Sequence, residues 1–80
     1  MAIEYKIIWQ KPEDYYPTDL MKSLPSPISR KMAEIYNFSI VEDGFYFIDN
    51  LEDARVASYA LKLFLDEALM YTNQVEVQKL

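Results

Sequence analysis

The spacing of apolar residues along this chain switches between two and three-to-four, and each switch predicts an element boundary. Ile3, Tyr5, Ile7 and Trp9 alternate with Glu4, Lys6 and Ile8, which predicts a strand with one strongly apolar face. Lys11-Pro12 ends it, because proline has no N–H to give to a ladder. Residues 11–26 carry Pro12, Pro17 and Pro25 and read as a long irregular connection. Thr18 suits the cap of a short helical turn through Asp19-Leu20-Met21-Lys22. Tyr15, Tyr16 and Leu20 are expected to pin this loop to the core.

A helix is predicted to start at Ser26-Pro27, a serine cap followed by proline at the first helical position. Ile28, Met32, Ile35 and Tyr36 share its inner side, Arg30, Lys31 and Glu34 face out, and Asn37 suits a left-handed stop. Two apolar runs, Phe38 to Glu42 and Phe45 to Ile48, flank Asp43-Gly44, which suits a type I′ hairpin turn. That register sets Ile40 against Phe47 and Glu42 against Phe45, with Val41 and Tyr46 on the other face. Asp49-Asn50 is the expected cap of a long helix running from Leu51 to about Thr72. At about 100° per residue, Ala57, Ala60, Leu61, Phe64, Ala68 and Tyr71 converge on one face, opposite a polar stripe of Arg55, Ser58, Lys62 and Asp66. Val75 to Leu80 alternates again and predicts a last strand.

Strand, helix, two strands, helix, strand resembles the ferredoxin-like βαββαβ order. The expectation is one α+β domain over residues 1–80, a two-layer sandwich with a four-stranded antiparallel sheet and two helices on one face. Right-handed crossovers place the first strand and the second hairpin strand in the centre, where their apolar content suits them. Ser39–Glu42 and Val75–Leu80 are more polar and suit the edges. So many unrelated proteins share this order that the fold does not name a function.

Composition removes most chemistries. The chain of 80 residues has no histidine, no cysteine and one glycine, Gly44. It therefore lacks a side chain that titrates near neutrality, a thiolate, soft metal ligands and a glycine-rich phosphate loop. No serine has a histidine to activate it, and Asp66/Glu67 read as solvated helix carboxylates rather than an acid–base pair. An enzyme is not expected, and no cofactor or metal is expected. The net charge of −5 opposes contact with nucleic acid and with anionic membrane, and it favours a basic protein partner. Absence of cysteine, of a basic-then-apolar leader and of a long apolar run makes a cytoplasmic protein the expectation.

Two features point to binding. Tyr59, Leu63 and Met70 along one border of the long helix, and Leu65 and Leu69 along the other, exceed what one sheet face can cover. The alternative is that the 11–26 loop folds over one flank. Glu42, Asp43, Asp49, Glu52 and Asp53 form an acidic run, and Glu42, Asp43, Glu52 and Asp53 are candidates for the acidic rim of a docking surface. Tyr46 joins the partner-binding candidates as a sheet tyrosine, a residue that supplies contact area and a hydroxyl together. The expected function is a non-enzymatic protein-binding module, such as an inhibitor or immunity-type protein that neutralises a basic nucleic-acid-handling target. The alternative is a homo-oligomeric structural or regulatory domain, in the simplest case a homodimer.

Overall fold

The structure is a computed structural model, and it describes residues 2–25 and 31–80. Along the chain these form β1 (Ile3–Ile8), α1 (Thr18–Ser23), α2 (Met32–Ile35), β2 (Tyr36–Val41), β3 (Gly44–Asp49), α3 (Ala54–Tyr71) and β4 (Glu76–Lys79). The strands make one open sheet in the order β2-β3-β1-β4, antiparallel at every pairing. β1 and β3 lie in the centre, as expected.

Register follows the alternation in the sequence. Phe38 pairs with Phe47 and Phe47 with Tyr5, while Ile40 pairs with Phe45, Phe45 with Ile7 and Ile7 with Val77. Directly paired residues share a face, so these rows build the apolar side of the sheet. Ile7, Phe45, Phe47 and Tyr36 on that side are buried in one core with Leu20 of α1, Ile35 of α2 and Ala57, Ala60, Phe64 and Ala68 of α3. The other side carries Glu4, Lys6, Asn37, Ser39, Tyr46 and Gln78 and is open.

α3 supplies most of the second layer. Asp53 caps it, its carboxylate accepting from the Arg55 and Val56 amides at 3.1 and 3.2 Å. The helix therefore starts three residues later than Leu51, beyond a turn in which Leu51 holds a left-handed φ of 61° and donates its amide to Asp49 Oδ1. Fully buried Ala57, Ala60 and Ala68 let the helix lie close to the sheet, and Phe64 fills the space between them. The Phe64 ring sits 4.9, 5.0 and 5.6 Å from the rings of Phe38, Phe45 and Phe47. Removing such a ring typically costs about 3–5 kcal/mol.

The first crossover departs from expectation. The Ser26-Pro27 start, with Ile28 and Arg30, lies outside the described residues, and Lys31 is extended, so no three-turn helix reaches Tyr36. α2 is four residues long, and Tyr36 opens β2 instead. The period-two run Tyr36-Asn37-Phe38-Ser39-Ile40 overrides the helical spacing, because a strand buries Tyr36 against Phe47 with rings stacked at 5.4 Å. Asn37 is not the left-handed stop expected: α2 ends at Ile35, and Asn37 lies inside β2 without a positive φ. Asn37 and Asn50 side-chain amides both donate to the Ala33 carbonyl, at 3.0 and 3.1 Å. α1 packs against α3 and buries Leu20, with Pro17 rather than Thr18 at its cap position.

The hairpin turn is also displaced. Val41 pairs with Gly44, so the turn residues are Glu42 and Asp43, neither of which has a positive φ. A type I′ turn is thereby excluded. Ile40 faces Phe45 rather than Phe47, a shift of two positions, and an even shift leaves every strand side chain on its expected face. Gly44 is needed inside the strand, not in the turn. Its φ is +152°, and a Cβ there would overlap the Ile7 carbonyl oxygen and approach Trp9 Cδ1 to 3.0 Å. Gly44→Ala should therefore lower unfolding free energy by about 2 kcal/mol or more, read as a lower urea midpoint at unchanged slope. A midpoint equal to that of the parent chain would contradict this packing.

Candidate functional site

Where β1 leaves the sheet, four aromatic rings close on one another. The Trp9 amide bonds to the Asp43 carbonyl at 3.1 Å, which carries β1's line one residue past the strand and turns the indole under α3. Trp9 lies 5.2 Å from Tyr15, 5.4 Å from Phe45 and 5.5 Å from Tyr71, the Tyr15 contact being edge-to-face. Tyr15 and Tyr71 meet edge-to-face at 5.5 Å. The indole N–H is buried and has no acceptor among the described residues.

The Tyr15 hydroxyl donates to Glu67 Oε2 at 2.6 Å, joining the 11–26 loop to α3. Glu67 is 7% exposed, which corrects its assignment to the solvated face. The signal was present in the sequence: Glu67 lies three residues after Phe64 and four before Tyr71, on the apolar side of the helix. Burial chiefly, then the Glu67 hydrogen bond and charge, and last Tyr71, push the Tyr15 phenol far above its usual 10.0. At neutral pH it is a donor, not a base. Tyr36 is pushed up to about 12 by burial alone.

Beside this cluster runs an open groove of about 1310 Å³ between the end of α3 and the β1–β4 edge. Trp9, Leu69, Tyr71 and Val75 give it apolar walls, while Gln10, Asn73, Gln74 and Glu76 give it polar ones. No group of three or more acidic side chains is placed to hold a metal ion among the described residues.

The partner-binding candidates separate into several places. On α3, Met70 (75% exposed), Tyr59 (54%) and Leu69 (47%) face solvent. Leu63 and Leu65 are half-buried against the core, so the helix flanks are only partly free. The loop does supply some cover through Tyr15 and Leu20, whereas Tyr16, expected to help pin it, is exposed. The acidic run does not form one cluster. Glu42 and Asp43 sit in the β2–β3 turn, while Glu52 and Asp53 lie beyond the other end of β3, about 17 Å along the strand. Asp43 bridges to Lys6 at 2.8 Å, and that hydrogen bond holds its carboxyl below the usual range. Asp53 is used as the α3 cap, and Asp49 binds the Leu51 amide. Tyr46 lies on the open face with its hydroxyl on Glu4, which raises its pKa.

No helix among the described residues is long and apolar enough to cross a membrane. Compared with protein-family models, curated proteins and solved structures, the chain matches none of them.

The buried phenols of Tyr15 and Tyr36 oppose folding once they ionise, so their contribution is complete below pH 10 and declines as pH rises beyond it. Tyr15→Phe should shrink the alkaline decline seen in thermal midpoints above pH 10. At neutral pH it should cost about 1–2 kcal/mol, because the buried Glu67 carboxylate loses its donor. An unchanged alkaline limb in Tyr15→Phe would show that the phenol is solvated rather than buried.

Proposed function

We propose that this chain is a non-enzymatic protein-binding module whose contact surface is the C-terminal end of α3 and the groove beside it. The observation that carries this reading is the exposure of Leu69, Met70 and Tyr71 in one helical turn, next to the mixed aromatic and amide walls of the groove. Large apolar side chains grouped in this way on a small acidic protein are a reason to expect an interface. Trp9 and Tyr71 supply the rigid aromatic content typical of interface cores, and Gln10, Asn73 and Gln74 supply polar groups for its rim.

A partner with basic character is the reading most consistent with the net charge of −5. A basic, nucleic-acid-handling protein held in check by an inhibitor or immunity-type module would fit this charge. The acidic ends then act as two steering sites rather than one patch, since β3 separates Glu42 from Glu52. For the architecture, we favour a ferredoxin-like βαββαβ sandwich in which α1 and α2 together occupy the place of the first helix. The order β2-β3-β1-β4 supports that reading, and the broken first crossover is its departure.

Chemical cross-linking in native lysate, comparing the parent chain with Leu69→Asp and Met70→Asp, tests the contact surface. The expected outcome is a specific cross-linked partner that both variants lose while their circular dichroism is unchanged. With that partner in hand, Glu42→Lys and Glu52→Lys should each slow association severalfold at low salt and flatten its salt dependence. Equal capture by the two apolar variants would overturn this surface, and unchanged on-rates would remove the charge component.

A further inference from the structure

We infer that β2 is a self-pairing edge, through which two copies of this chain join antiparallel into a continuous eight-stranded sheet. The sheet has two edges, and they are protected very differently. β4 is four residues long, Glu76-Val77-Gln78-Lys79, with a charge at each end and every residue exposed. Short length and charge are the usual devices that stop an edge from pairing. β2 has neither. Its six residues, Tyr36-Asn37-Phe38-Ser39-Ile40-Val41, contain no charge, no proline and no glycine. They are aromatic, β-branched or small polar residues suited to a strand. Among the described residues, β3 is its one strand neighbour.

The occupant follows from charge and register. Each copy carries −5, so copies meet at least cost where the contact adds no like-charge pairs, and among the described residues β2 is the only strand without a charged side chain. A basic partner would find no charge complementarity in that strand. A second copy gains a self-complementary pairing. Antiparallel contact centred on Ser39 sets Phe38 against Ile40 of the other copy, and the same pair recurs on the other side of the two-fold axis. Aromatic residues opposite β-branched ones are favourable cross-strand pairs. Ile40, 37% exposed, and half-buried Phe38 both gain cover on the side of the sheet that α3 leaves partly open. Ser39 meets Ser39 and Asn37 meets Val41 on the open face, so no like charges are opposed. The paired span runs from Asn37 to Val41 and so stays clear of α2. An edge contact of this length buries less than about 1,200 Å², so the dimer is weak and dilution dissociates it.

The chain has no cysteine, so Ser39→Cys places the only two thiols of the dimer across the two-fold axis. Gln78→Cys, on the same face of the opposite edge, is the control. Under mild oxidation, Ser39→Cys should form a disulfide-linked dimer at least about tenfold faster than Gln78→Cys at equal concentration. Light scattering of the parent chain from about 1 to 500 μM should show the mass rising from 9.5 kDa towards twice that value. Ser39→Lys should keep it near 9.5 kDa throughout, whereas Leu69→Asp should leave the rise intact, which separates this edge from the α3 surface. A parent chain monomeric at every concentration, equal oxidation rates for the two cysteine variants, or a dimer unaffected by Ser39→Lys would each overturn the inference. If Ser39→Lys fails to fold, the cysteine comparison decides.

Discussion

The Phe64 ring is the central contact between the two layers of this protein. Phe64 projects from α3 onto the sheet and touches Phe38, Phe45 and Phe47, so it meets β2 and β3 at once. Its reach depends on what surrounds it on the helix. Ala57, Ala60 and Ala68 are too small to hold α3 away from the strands, so the large ring fills the gap they create. Close packing of this kind leaves little room for alternatives, because a void or an extra methylene at the contact is felt directly. With one long helix over four strands, the alignment of α3 on the sheet sets where every other segment can find cover.

That economy explains the ends of the sheet. α3 covers the centre, and the short helices α1 and α2 add the rest. Ile40 on the β2 side and Val77 on the β4 side remain partly exposed. Near β1 the chain solves the same problem differently, by folding its loop back. Trp9, Tyr15, Phe45 and Tyr71 form an aromatic wedge, and the Tyr15–Glu67 hydrogen bond fixes the loop to the helix. A buried carboxylate is tolerable there only because a donor reaches it. The two flanks of the core thus end in different states. The end of β1 is packed by a loop, with the groove left open beside β4, and the β2 side is left as an uncharged strand edge.

Where local pattern and tertiary packing agreed, the sequence was legible. β1, β3 and α3 show sustained periodicity, and their faces follow from it, including the burial of Ile7, Phe47 and Phe64. Where two periods overlapped, the local reading failed. Met32, Ile35 and Tyr36 have helical spacing, yet Tyr36, Phe38 and Ile40 alternate, and the stacking of Tyr36 on Phe47 favours the strand. Gly44 beside Asp43 suits a turn, whereas its constraint is the Ile7 backbone on β1 and the Trp9 ring just past that strand. The acidic run likewise looked like one feature because its members are close in the chain. A strand between them carries Glu42 and Glu52 to opposite ends of the sheet.

Hydrophobic periodicity by itself determined the number of strands, the long helix and the face each turns inward, because burial of apolar area acts on side chains whose directions repeat every 2 or 3.6 residues. Composition by itself removed histidine and cysteine chemistry and set the sign of the charge. Only the tertiary structure decided the hairpin register, the break in the first crossover, the burial of Glu67 beneath Tyr15 and the contrast between the two sheet edges. Each of these depends on residues distant in sequence coming within a few ångströms. Such contacts are chosen by the packing of the whole core; helical spacing puts Glu67 on the apolar side of α3, but only the fold brings Tyr15 to it.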